Sequence, residues 1–239
     1  MTAKTTKTEQ RQLSMEKLLG AALQLFVSQG YRSTTLEQVA TAARLSKGAV
    51  YFYFGSKESV LMELLQRVRT VVVDDAIKVV EQAGPSAIDR MVAFLHNQAQ
   101  LGVTRRDDVL LLILMSLEFS HRRDRVMRCI AGIYGRLHRY VERMIRAGQR
   151  SGEFRTDVPV RELAANIMAN HDGTFLEWYR RAPALNGPQL VRALRSVVLY
   201  GVARDRPDSA TGQRAARRKP AGGRSLRAAG RPAARPASG

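Results

Sequence analysis

Between Ser14 and Gly201, apolar residues recur at steps of three and four, and no run alternates apolar with polar as a half-buried strand requires. Leu18, Ala22, Leu25 and Phe26 form one stripe, closed by Gly30. Val126, Ile130, Ile133, Leu137, Val141 and Met144 form a second, on a long helix that should end near Gly148–Gly152. A third, Leu163, Ile167, His171, Phe175 and Trp178, begins after Asp157 and Pro159 and stops before Pro183. Leu190, Leu194, Val197 and Gly201 form a fourth behind Gly187 and Pro188. Two more helices fit between Ser86 and Gly102 and between Asp107 and Ser120. The pattern predicts an all-α protein of about nine helices, with no internal repeat.

The first sixty residues are finer-grained, with a turn signal roughly every ten residues. Thr34-Thr35-Leu36-Glu37 has capping-box spacing, with a hydroxyl for the third amide and a glutamate returning to the cap amide. The helix behind it runs through Val39, Ala40 and Ala43; Arg44-Leu45 turns the chain, and Ser46 can cap a short helix from Lys47 to Phe54. Small Ala40 and Ala43 let two helices approach closely, while Leu45 and Val50 fill the angle between them. Two short helices joined in this way have helix-turn-helix geometry, whose second helix enters the major groove.

In that second helix Val50 and Phe54 should face the core, leaving Lys47, Gly48, Ala49, Tyr51, Phe52 and Tyr53 outward or sideways. Gly48 and Ala49 remove bulk where a backbone must approach a nucleic acid, and Ala49 suits a thymine methyl. Lys47 can reach a base edge or a phosphate, and Tyr51 and Tyr53 can donate hydroxyls to phosphate oxygens. After Gly55-Ser56 a new helix starts, and its free amides together with the Lys57 ammonium form an expected phosphate site.

Charge supports a polyanionic partner. The 239 residues carry 39 Lys and Arg against 21 Asp and Glu, a net +18. Residues 204–239 contribute +8 of this in a stretch dense in Ala, Gly, Pro and Arg, expected to be a disordered tail. Residues 1–13 read as a basic flexible arm. Cys129 is the single cysteine, which excludes an internal disulfide, and the longest apolar run, Val109–Met115, is far too short for a membrane span. The N-terminus lacks the apolar region of a signal peptide, so the expected setting is a reducing cytoplasm.

Phe26, Gly30, Tyr31, Thr34-Thr35, Val39-Ala40, Ala43, Leu45-Ser-Lys-Gly-Ala-Val-Tyr-Phe-Tyr-Phe54 and Ser56-Lys-Glu58 resemble the DNA-binding segment of the tetracycline-repressor (TetR/AcrR) family. The resemblance is close over about a fifth of the chain, and it departs at Arg44, where the family's turn usually carries glycine; a left-handed non-glycine there costs on the order of 1 kcal/mol. It implies a ligand-responsive homodimeric repressor that binds a palindromic double-stranded operator and is released by a small-molecule effector. A DNA-binding domain would occupy residues 14–60, and an effector-binding and dimerisation domain residues 61–203. Carried over residue by residue, the DNA-facing set is Thr35, Ser46, Lys47, Gly48, Ala49, Tyr51, Phe52, Tyr53 and Lys57, with Lys47 and Ala49 on base edges and Thr35, Tyr51, Tyr53 and Lys57 on phosphate. The last two helices, about 160–181 and 188–203, would pair across the dimer.

Candidate effector contacts are Phe94, Met115, Phe119, Ile130, Tyr134, Leu137, Met168, His171, Phe175 and Trp178, each of which also reads as ordinary core. His171, with Asp172, interrupts an apolar face and suits an effector hydrogen bond, a buried satisfied histidine or a dimer contact. Arg105, Arg106, Arg122, Arg123, Arg125 and Arg128 suit an anionic effector or a solvated face.

No catalytic residues, metal site or cofactor are expected. His96, His121, His138 and His171 lack metal-ligand spacing, there is no glycine-rich phosphate loop, and His171 and Asp172, about 100° apart on a helix, are not expected to pair. The rival reading is a nonspecific architectural DNA-binding protein, which would show a steep salt dependence without sequence preference.

Overall fold

The structure, a computed structural model, describes residues 6–203; the expected tail at 204–239 and the first five residues of the expected arm lie outside the described residues. The chain from α1 to α10 is helical: α1 (Lys7–Gln29), α2 (Leu36–Ala42), α3 (Lys47–Phe54), α4 (Lys57–Val68), a π turn (Arg69–Asp74), α5 (Asp75–Glu81), α6 (Ala87–Thr104), α7 (Arg106–Glu118), α8 (Arg125–Ser151), α9 (Val160–Arg181), a 3₁₀ turn (Ala182–Ala184) and α10 (Gly187–Val202). Because α4 and α5 run on through the π turn, the described residues form nine helical rods, and their one β-type pairing is an isolated bridge between Phe154 and Ala203.

Residues 7–13 differ from the expected arm. Thr6 accepts from the Glu9 amide and the Glu9 carboxylate returns to the Thr6 amide, so a capping box starts α1 at Lys7. The box at α2 is also one residue later than the spacing first suggested: Thr35 and Gln38 form it. Thr34 is buried and donates its hydroxyl to the Gly30 carbonyl, while Glu37 faces outward and pairs with Lys47.

α2 closes with Leu45 N–H on the Ala40 carbonyl at 2.9 Å and Arg44 N–H on the Thr41 carbonyl at 3.0 Å, a Schellman motif. Arg44 occupies its left-handed position at φ 56°, the one positive-φ non-glycine residue among those described. Arg44→Gly should therefore raise stability by about 1 kcal/mol, with the thermal midpoint up by about 2–4 °C, and a calorimetric scan measures it.

A single core runs through the described residues, from Leu18, Phe26 and Val50 through Leu61, Leu64 and Leu65 to Ile133, Val141 and Ile167. The π turn contains three successive valines, whose β-branched side chains crowd a helix. Arg69 and Arg136 both converge on Asp74 at its end. At the other end of the molecule Phe154, fully buried, lies against Gly148 of α8, and its neighbour Arg155 donates its amide to the Val202 carbonyl at 2.8 Å. Glu153 accepts from the Ser86 hydroxyl and the Ala87 and Ile88 amides; these bonds and that of Ser151 hold its carboxyl down to about 2.

Candidate nucleic-acid interface and ligand cavity

α3 buries Val50 completely and half-buries Tyr53 and Phe54, and it presents Lys47, Gly48, Tyr51 and Phe52 to solvent. Phe52, 75 % exposed, leans edge-on against Tyr53 with ring centroids 5.2 Å apart. Ser46 accepts from the Ala49 amide at 3.2 Å, and Thr35 from the Gln38 amide at 3.2 Å. A hydroxyl that caps a helix does so through a lone pair, so both O–H groups remain free to donate to an incoming oxyanion. Lys47 is paired with Glu37 across the angle between α2 and α3; that pairing raises the ammonium's pKa and lowers the carboxyl's.

Lys57 was expected at a phosphate. Its ammonium donates to the carbonyls of Tyr31 at 2.9 Å, Arg32 at 3.3 Å and Thr34 at 2.9 Å, and lies 4.4 Å from the Tyr31 ring centroid. The same turn is held from the other side by Glu118 at the end of α7, which accepts from the Tyr31 and Arg32 amides at 3.3 and 3.1 Å. Tyr31 itself packs between Phe26 and Phe119. The turn that sets Thr35 is thus tied to α4 and to α7. The sequence gives no local sign of Glu118's part, because its partners lie 86 and 87 residues away.

A cavity of about 350 Å³ opens between α6, α9 and α10. Of the expected effector contacts, His171, Phe175 and Trp178 line it; the walls also include Leu95, Gln98, Gly102, Val191 and Leu194, none of which was expected there. Gly102 admits the Phe175 ring, which a Cβ there would meet at 3.0 Å. Phe94, Met115, Ile130, Leu137 and Met168 are buried core outside that wall, and Phe119 sits at the Tyr31 joint.

His171 Nδ1 and Asp172 Oδ1 are 2.8 Å apart, contrary to the expectation that neighbours on a helix diverge too far to pair. Their Cβ atoms do diverge, but Nδ1 and the carboxylate each lie close to the backbone, and both side chains swing into the gap. Burial first, and then the negative charge of Asp172, pushes the Tyr134 hydroxyl up. Tyr134, expected as an effector contact, is not part of the wall.

The arginine cluster stands apart from the cavity. Arg122 covers Phe119 and pairs with Asp124, and Arg106 covers Tyr179. Among the described residues no group of His, Cys, Asp and Glu is arranged to hold a metal ion, and no helix is long and apolar enough to cross a membrane.

A family model described as "Bacterial regulatory proteins, tetR family" matches residues 18–64, and one described as "BetI-type transcriptional repressor, C-terminal" matches residues 87–199. The crystal structure of the MbdR regulator from Azoarcus sp. CIB is 45 % identical, covering 79 % of this chain and 98 % of that one, with a TM-score of 0.73. The transcriptional repressor KstR2 of Mycobacterium tuberculosis is 26 % identical over 197 residues, 79 % of this chain and 92 % of that protein. The repressor NicS of Pseudomonas putida is 28 % identical over 157 residues, 64 % of this chain and 71 % of that protein.

Proposed function

Since this chain belongs to the tetR family of bacterial regulatory proteins and is a DNA-binding transcriptional repressor, we propose that it binds a palindromic operator as a homodimer and leaves it when a small molecule enters the α6–α9–α10 cavity. The observation that carries the operator reading is α3. A short helix anchored by Val50 and set by the closed turn at Ala43–Ser46 keeps Lys47, Gly48, Tyr51 and Phe52 exposed on one element.

In this reading residues 14–60 form the DNA-binding head and residues 61–203 the effector-binding and dimerisation part. Lys47 and Ala49 read base edges, with Gly48 giving clearance; Thr35, Ser46, Tyr51 and Tyr53 donate to phosphates, and Phe52 packs against the sugar–phosphate wall. Lys57 acts inside the head by holding the turn that places Thr35. Dimerisation through α9 and α10 is supported by Tyr179, Val197 and Tyr200, large apolar side chains exposed on these two helices. His171, Phe175 and Trp178 are the proposed effector contacts. A two-fold dimer places its half-sites about 34–36 Å apart or somewhat wider.

Duplexes selected from the DNA flanking its own gene provide the test. Tyr51→Phe should weaken every sequence alike, whereas Lys47→Ala should change the ranking of operators. Glu37→Gln, which frees Lys47 and removes a nearby negative charge, should strengthen binding roughly threefold to tenfold at low salt, with the gain fading as salt rises. Equal affinity for all duplexes, with no operator favoured by about 10³-fold, would overturn the specific-operator reading.

A further inference from the structure

We infer that Gln98 is a positioning residue through which an occupant of the cavity acts on the α4–α5 rod. The inference rests on the proposed effector role of the cavity and names the contact that transmits it.

Gln98 is 2 % exposed and belongs to both places: it contributes to the cavity wall, and its Nε2 donates to the Val72 carbonyl at 3.3 Å. A carbonyl only accepts, so the amide nitrogen must face Val72, which turns Oε1 away. That oxygen is buried and meets no donor. An orphaned buried acceptor is costly, so the present arrangement of this side chain satisfies only half of it.

Val72 lies inside the π turn, where the Asp75 amide reaches back five residues to Thr70. A π turn holds one residue more than the α-helix it interrupts, and restoring α geometry there would rotate α4 against α5 by about 100° and shift it by about 1.5 Å. Gln98 of α6 ties this turn from outside the rod, and Arg136 of α8, paired with Asp74, is a second such tie. At the far end of the rod, Lys57 carries the turn between α1 and α2. A ligand with an apolar body and a hydrogen-bond-donating group offers Oε1 the partner it lacks. Turning toward that ligand takes the carboxamide off Val72 and releases the rod.

The test uses the full chain with Gln98→Met, which matches length without hydrogen bonding, and Gln98→Asn, which keeps the amide but cannot span the gap. Both should speed amide exchange over residues 70–76 by about tenfold or more while leaving the middle of α8 unchanged. Both should also change the affinity for the selected operator by about fivefold or more. Phenol and toluene serve as probes of similar shape with and without a donor. Phenol should speed exchange over residues 70–76 in the wild-type protein and not in Gln98→Met, and toluene should do neither. Unchanged exchange at the π turn in both variants overturns the inference, as does faster exchange without any change in operator affinity. Faster exchange spread evenly over α6 and α8 with a lowered thermal midpoint would mark Gln98 as ordinary packing, and equal action or inaction of the two probes would overturn the donor requirement. Should the wild-type protein select no duplex, the functional reading fails, and exchange in the variants still decides whether Gln98 ties the turn.

Discussion

Lys57→Met should lower stability by about 3 kcal/mol and the thermal midpoint by about 6–12 °C, because a half-buried ammonium that donates to three carbonyls is lost and its acceptors are left behind. The methionine keeps most of the stem, so the loss falls on the charged head. DNA affinity should fall at least tenfold, and alike for all sequences, since the Tyr31–Thr34 turn no longer fixes Thr35 and α2. The salt dependence separates this role from direct phosphate binding. A lysine on a phosphate, when removed, reduces the slope of log affinity against log salt by about 0.9, whereas a lysine acting inside the head leaves the slope unchanged. Operator titrations at several salt concentrations, with a denaturation curve of the same variant, give both numbers.

The second large effect is expected at a glycine. A Cβ on Gly148 would meet the Phe154 ring at 2.3 Å, with two further ring atoms at 2.7 Å, and Phe154 is fully buried with no room to retreat. Gly148→Ala should destabilise the protein by about 2–3 kcal/mol, at the upper end of what overpacking by one carbon does. The consequence reaches further than the ring. Phe154 bridges to Ala203, and Arg155 bonds Val202, so displacing the ring pulls on the end of α10, the helix proposed to pair with its copy. Sedimentation should show the proposed dimer of Gly148→Ala dissociating at higher concentration than that of the wild type. Phe154→Leu, which gives the added methyl group room, should recover part of the loss when combined with it.

The helical rods and the α2–α3 unit were legible because their signals are local. Ser46, Ala40, Ala43 and Val50 lie within eleven positions of one another, and their spacing fixes cap, close approach and core face together. Where two neighbours offer the same chemistry, locality is not enough. Thr34 and Thr35 each have a Glu or Gln three residues on, and burial of Thr34 beneath the turn decides that Thr35 is the cap. Lys57 differs again: a lysine at a helix start reads as an anion site, and the carbonyls its ammonium meets come from a turn 23 to 26 residues earlier. Gln98 carries no sequence signal, since its partner, the Val72 carbonyl of the π turn, lies 26 residues away. The His171–Asp172 contact was missed because helical angles describe Cβ directions, and short polar side chains can swing back across them.

The sequence contains a single tryptophan, and it stands in the cavity wall beside Phe175. Excited on the long-wavelength side of its band, where the seven tyrosines do not absorb, the unlabelled protein consequently emits from one indole at one address. Its colour and brightness register whatever displaces solvent there, so a library of metabolites can be screened without a reporter dye, an operator or a living cell.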